Sequence, residues 1–129
     1  MFTVYFWIDG QGFDADRFQS GLAQHLMGTV EARKRMRNGA VEPYGRYWKS
    51  EVRASISEAP EKELAALLSR YKAEILRARA GDGVRIVAEI VAEYDSIEDA
   101  RGFHLTSATV QLLAELGVAL DIDIVRRLR

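Results

Sequence analysis

Hydrophobic and polar positions alternate or recur at helical spacing along nearly the whole chain. Phe2, Val4, Phe6 and Ile8 point one way and Thr3, Tyr5, Trp7 and Asp9 the other, which predicts a half-buried strand from Phe2 to Asp9. Gly10 and Gly12 break it. Asp14 is a good N-cap for the helix that follows, with Phe13 and Phe18 at the two positions of a hydrophobic staple. Phe18, Leu22 and Leu26 form its buried stripe, and Gly28 is its expected end. Residues 29 to 37 and 44 to 53 read as paired strands. The connection through Asn38-Gly39 and Pro43 is longer than a tight hairpin and predicts a looser loop. From about Glu58 to Ala80, Leu64, Leu67, Leu68, Tyr71 and Ile75 mark one face of the longest helix. Glu58, Glu61 and Glu63 lie in its early turns and Arg77 and Arg79 in its last, which suits the helix dipole. Gly81-Asp82-Gly83 stops it. A long strand runs from Val84 to Tyr94, then an acidic loop from Asp95 to Arg101 and an extended piece from Gly102 to Leu105.

The last quarter is the clearest. Thr106 is an N-cap, Leu105 and Val110 sit at staple positions, and Gly117 is the expected left-handed stop. Val110, Leu113, Ala114 and Gly117 share a stripe, with Leu116 at its margin. Leu120, Ile122 and Ile124 then alternate with Asp121 and Asp123, so a final strand has one apolar and one carboxylate face.

The order strand, helix, strand, strand, helix, strand predicts an α+β, ferredoxin-like (split βαβ) antiparallel sheet with an additional C-terminal helix and strand. Right-handed crossovers place both early helices on one face, and the last strand extends the sheet at an edge. At 129 residues, 48% of them hydrophobic, the chain predicts one folded domain spanning 1–129. A net charge of −1 gives no general attraction to nucleic acid or an anionic membrane. The absence of cysteine removes thiol chemistry and fits a reducing compartment; with no leader and no spanning apolar run, the expectation is a soluble cytoplasmic protein.

Candidate chemistry concentrates on the sheet face that the early helices leave bare. Alternation puts Tyr5 and Trp7, Arg33 and Arg35, Tyr47 and Lys49, and Val87, Glu89 and Val91 there. Rings among cations on an open sheet are what single-stranded RNA binders of this topology use for base stacking. Against that stand the acidic residues Glu89 and Glu93 and the missing basic-aromatic signature of those modules. An apolar patch of Tyr5, Trp7, Val87 and Val91 instead predicts a cover: either the C-terminal helix or a second chain, with a homodimer favoured. The carboxylate pairs Asp121/Asp123 and Glu89/Glu93 could hold a hard cation or act as acid and base, but charges on a strand's wet side are ordinary; no metal and no cofactor is expected. His25 and His104 lack a catalytic partner at recognisable spacing, and no phosphate loop or nucleophile elbow is present.

Three segments carry a resemblance: Tyr5-Phe-Trp-Ile-Asp-Gly10 with Phe13-Asp14, Gly45-Arg-Tyr-Trp48 with Ser50-Glu51, and Phe103-His-Leu-Thr-Ser107 through Leu113 and Gly117 to Leu-Asp-Ile-Asp-Ile124. Over nearly its whole length the chain resembles a bacterial family of small single-domain proteins classed as a domain of unknown function. The resemblance transfers no functional residue. By analogy, some small proteins of this general kind resemble immunity proteins of bacterial toxin systems. The reading is a non-enzymatic protein-binding module, with single-stranded RNA or DNA binding as the alternative. An enzyme would need a pocket lined by Asp121, Asp123 and Glu89.

Overall fold

The computed structural model of the chain describes residues 1–55, 59–96 and 102–126. The order is β1 (Phe2–Gly10), α1 (Ala15–Ser20), β2 (Thr29–Arg37), β3 (Ala40–Lys49), β4 (Arg53–Ser55), α2 (Glu61–Arg70), α3 (Lys72–Arg79), β5 (Val84–Tyr94), α4 (Ser107–Leu116) and β6 (Ala119–Arg126). The strands form one six-stranded sheet in the order β2-β3-β1-β5-β6, with short β4 also paired to β1. Every pairing is antiparallel except β5 with β6. The fold is mixed α+β. The predicted helix start at Glu58, most of the acidic loop and the final residues 127–129 lie outside the described residues.

Alternation in β1 is realised as expected: its even-numbered side chains are buried and its odd-numbered ones half-buried. Asn38 (φ 52°) and Gly39 (φ 77°) make a two-residue turn between the paired Arg37 and Ala40, not the looser loop expected. Both turn residues take the positive φ that matches the twist of the flanking strands. The third strand therefore begins at Ala40 rather than residue 44. Pro43 lies inside it, and the register shifts between the pairs Arg33↔Gly45 and Lys34↔Pro43. A residue without an N–H is tolerated at such a bulge. The strand ends at Lys49, short of the expected residue 53. There Ser50 bridges to β4: its N–H donates to the Phe6 carbonyl (2.9 Å) and its Oγ accepts from the Phe6 N–H (2.9 Å).

The helices depart more. The first is capped by Asp14 as expected, but it ends at Ser20, so His25 lies beyond it. Gly28 stops no helix. A Cβ there would lie 1.9 Å from Trp48 Cζ2, so the position is glycine for space. The single long helix is two, broken at Tyr71 (φ −101°, ψ 12°). The Tyr71 hydroxyl accepts from the Gly28 N–H (3.2 Å) and donates to Glu51 Oε1 (2.7 Å), which fixes the break to the sheet edge. In α4 the Thr106 cap and the left-handed Gly117 (φ 68°) are present. Its buried stripe is rotated from the expected one, however: Thr109, Leu113 and Leu116 are buried while Val110 is 51% exposed. The rotation follows from where α4 docks. Glu61 of α2 accepts the Thr106 N–H (2.7 Å) and Arg79 of α3 donates to the Glu115 carbonyl.

Phe2, Val4, Phe6, Ile8, Trp48, Ile86 and Ile90 from the sheet join Leu64, Leu67, Leu68, Tyr71, Ile75, Leu113 and Leu116 from the helices in one core. Each such side chain, fully buried, contributes about 1.5–3 kcal/mol. The helical layer, α4 included, thus packs on the even-numbered side of β1. The C-terminal helix does not cover the other face. Among the described residues no helix is long and apolar enough to cross a membrane.

Candidate functional site

The bare face begins with the odd-numbered residues of β1. Trp7 lies between two guanidinium groups, Arg33 at 5.2 Å and Arg85 at 5.0 Å from its ring centroid. Arg33 also lies 4.8 Å from the Tyr47 ring, Lys49 Nζ sits 4.6 Å from Tyr5, and Arg35 is 5.4 Å from Tyr44. Asp9 holds the arrangement from one end, accepting from Arg33 (2.6 Å) and twice from Arg85 (3.0 and 2.9 Å). A cation over a ring contributes about 0.5–1 kcal/mol at exposed sites and more when desolvated. The rings are therefore partly covered by the chain's own side chains.

Of the predicted residues, Tyr5, Trp7, Arg33, Tyr47 and Lys49 line one open concavity of about 650 Å³. Arg35 stands outside it, paired with Glu42 (3.1 Å). Val87 is buried to 8% exposure between its β1 and β6 neighbours, and Val91 faces Asp123 in register. The expected apolar patch is thus a correction: its valines are not a broad exposed surface, since Val87 is buried and Val91 half-buried. Four further residues line it that were not among the expected ones: Ala32, Lys34, Tyr44 and Arg85. Arg85 has the same parity as Val87 and Glu89, so alternation alone could have placed it. Tyr44 could not be placed that way, because the bulge at Pro43 changes the parity of β3.

The other half of the face is acidic. Parallel pairing sets Glu89 beside Asp121 and Val91 beside Asp123. Carboxylate oxygens of Glu89, Asp121 and Asp123 lie within 4.8 Å of one another. Glu89 thus groups with the β6 aspartates and not with Glu93. It is 7% exposed; its Oε1 accepts from the Trp7 indole N–H (2.9 Å) and its Oε2 is buried without a partner. Burial pushes the Glu89 carboxyl above the usual range, opposed by the Trp7 bond and reinforced by Asp121 and Asp123. Burial likewise raises the Tyr5 phenol, helped by Glu89 and the two aspartates.

The face is therefore bipolar, predominantly basic and aromatic around the concavity that β1, β2 and β3 share with Arg85, and acidic where Glu89 of β5 meets Asp121 and Asp123 of β6. A family model described as "Domain of unknown function (DUF4279)" matches residues 1–126. The chain belongs to the DUF4279 family. No curated protein and no solved structure matches it. In this DUF4279 chain several residues behind the sequence resemblance have structural tasks. Trp48 packs between Phe6, Phe18 and Tyr71, and Ser50 carries the β1 ladder across the β3–β4 break. Glu51 accepts from Tyr71.

Proposed function

We propose that this DUF4279 chain is a non-enzymatic protein-binding module that works through the bare face of its sheet, and that the occupant of that face is a second copy of the chain. The observation that carries this is the bipolar face. A two-fold axis running along the strands lays β2–β3 of one copy over β5–β6 of the other, so each basic half meets an acidic half. Among the described residues Lys49 is a cation of the concavity in no ion pair with an acid, and Asp121 and Asp123 are exposed acids on the other half of the face. The strand order β2-β3-β1-β5, all antiparallel, supports a ferredoxin-like split βαβ core with α4 and β6 appended. The lack of cysteine supports a cytosolic setting.

Nucleic acid is the weaker occupant. Stacking a base on Tyr5, Trp7 or Tyr47 requires displacing the cation already on each ring, and Glu89, Asp121 and Asp123 repel phosphate. A toxin bound as an immunity protein binds it would occupy the same face as a different protein.

Sedimentation velocity across a concentration series tests the proposal. The expected result is a reversible monomer–dimer equilibrium that weakens in high salt, where the screening length falls to about 3 Å at 1 M. Trp7→Glu, placed at the centre of the interface, gives monomer. A concentration-independent monomer overturns the self-docking, as does a dimer indifferent to both salt and Trp7→Glu. Steeply salt-dependent binding to mixed-sequence oligonucleotides, lost in Tyr47→Ala, would replace it with the nucleic-acid reading.

A further inference from the structure

We infer that Glu89, Asp121 and Asp123 form a binding site for one hard divalent cation of the calcium, magnesium or manganese class, at the seam of β5 and β6 on the bare face. The inference does not rest on the docking reading, because every ligand comes from one chain.

The register brings the ligands together. Glu89 and Asp121 are direct partners in the parallel pair, and Asp123 follows on the same face of β6. Their oxygens lie within 4.8 Å of one another. Oxygens bound to one calcium or magnesium ion at about 2.0–2.6 Å cannot be farther apart than roughly 4–5 Å, so the three already lie within one coordination sphere. An all-carboxylate set selects hard cations over softer metals.

Acidic residues in proximity are common on strands, and the stronger argument is Glu89 itself. It is 7% exposed, and its Oε2 has no hydrogen-bond partner. A buried carboxylate oxygen without a donor from the protein is costly. Trp7 fixes the other oxygen, Oε1, and so orients Oε2. Among the described residues no basic side chain pairs with the three acids; Arg33 and Arg85 are held by Asp9, and Lys49 lies over Tyr5. A proton shared between Glu89 and Asp121 is the competing arrangement; it joins two of the three acids and leaves Asp123 to solvent. A cation engages all three, and the exposure of Asp121 and Asp123 leaves its outer positions to water.

The two indole N–H groups provide the test. Trp7 donates to Glu89 at the site, whereas Trp48 donates to Gln19 on the opposite side of the sheet (2.7 Å). In the ¹⁵N-labelled full chain, substoichiometric Mn²⁺ should broaden the Trp7 indole signal many-fold more than that of Trp48, and excess Mg²⁺ or Ca²⁺ should reverse it. Saturating metal should also raise the thermal midpoint relative to EDTA. Glu89→Gln keeps an oxygen for Trp7, so it should fold and lose both effects; the double substitution Asp121→Asn, Asp123→Asn should do the same. Equal broadening of the two indoles, an effect that survives in Glu89→Gln, or no midpoint shift with any of the three metals at millimolar concentration overturns the site. Repeating the titration on Lys49→Ala, which removes a proposed docking contact and adds no ligand, separates failure of this site from failure of self-docking.

Discussion

The two faces of β1 are made from alternate residues of one strand and are held by different forces. On the helical side Phe2, Val4, Phe6 and Ile8 are sealed by side chains from three helices and by Trp48. That stabilisation scales with apolar area removed from water and is not subject to the ionic screening that weakens charge pairs. On the bare side Tyr5, Trp7 and Asp9 are held by cations over rings and by ion pairs, interactions that are individually small and, where exposed, screened. One face is sealed into the core, while the other leaves its charges and rings half-exposed.

The sharpest way to break this contrast compares neighbours in β3. Trp48→Ala should destabilise by about 3–5 kcal/mol in chemical denaturation, whereas Tyr47→Ala, one residue away on the other face, should cost about 1 kcal/mol or less. Similar losses for both would remove the distinction. Next comes the polar anchor inside the helical side. Tyr71→Phe leaves the Gly28 N–H and the Glu51 carboxylate short of a partner, and should cost about 1–3 kcal/mol.

The same group predicts a pH dependence. Burial first, and then the Glu51 bond and charge, hold the Tyr71 phenol far above its ordinary range. The unfolded chain releases that proton near the ordinary value of about 10, so the contribution is fully present below pH ~10 and declines as pH rises beyond it. Denaturation midpoints from pH 8 upward should fall in that window, and Tyr71→Phe should make the fall shallower. Gly117→Ala is expected to cost about 1 kcal/mol, because the left-handed φ of 68° is strained for alanine. The smallest effect belongs to the bare face: Arg33→Ala should cost about 0.5–1 kcal/mol at low salt. Salt should shrink that loss and leave the loss from Trp48→Ala unchanged.

The helical side was legible because burial imposes a period. The even residues of β1, the strand from Val84 to Tyr94 and the Thr106 and Gly117 caps all follow from local pattern and come out where the sequence places them. The helix from Glu58 to Ala80 was misread at Tyr71, since its spacing continues through a break set by partners in β2's approach and after β3. The bare face was legible only in part. Parity found Tyr5, Trp7, Tyr47 and Lys49, but the bulge at Pro43 hid Tyr44. Nothing local shows that Glu89 meets Asp121, because that contact depends on the register of a parallel pair closed across α4.

Charge exchange between the two halves tests the central claim most directly. Lys49→Glu replaces a cation of the basic half with an acid, and Asp121→Lys/Asp123→Lys replaces the exposed acids of the other half with cations. Each variant alone should sediment as monomer, and an equimolar mixture should form a 1:1 heterodimer that high salt dissociates. If the mixture stays monomeric while the unmodified chain dimerises, or if either variant dimerises alone as well as the unmodified chain does, the bare face does not hold a second copy in this way.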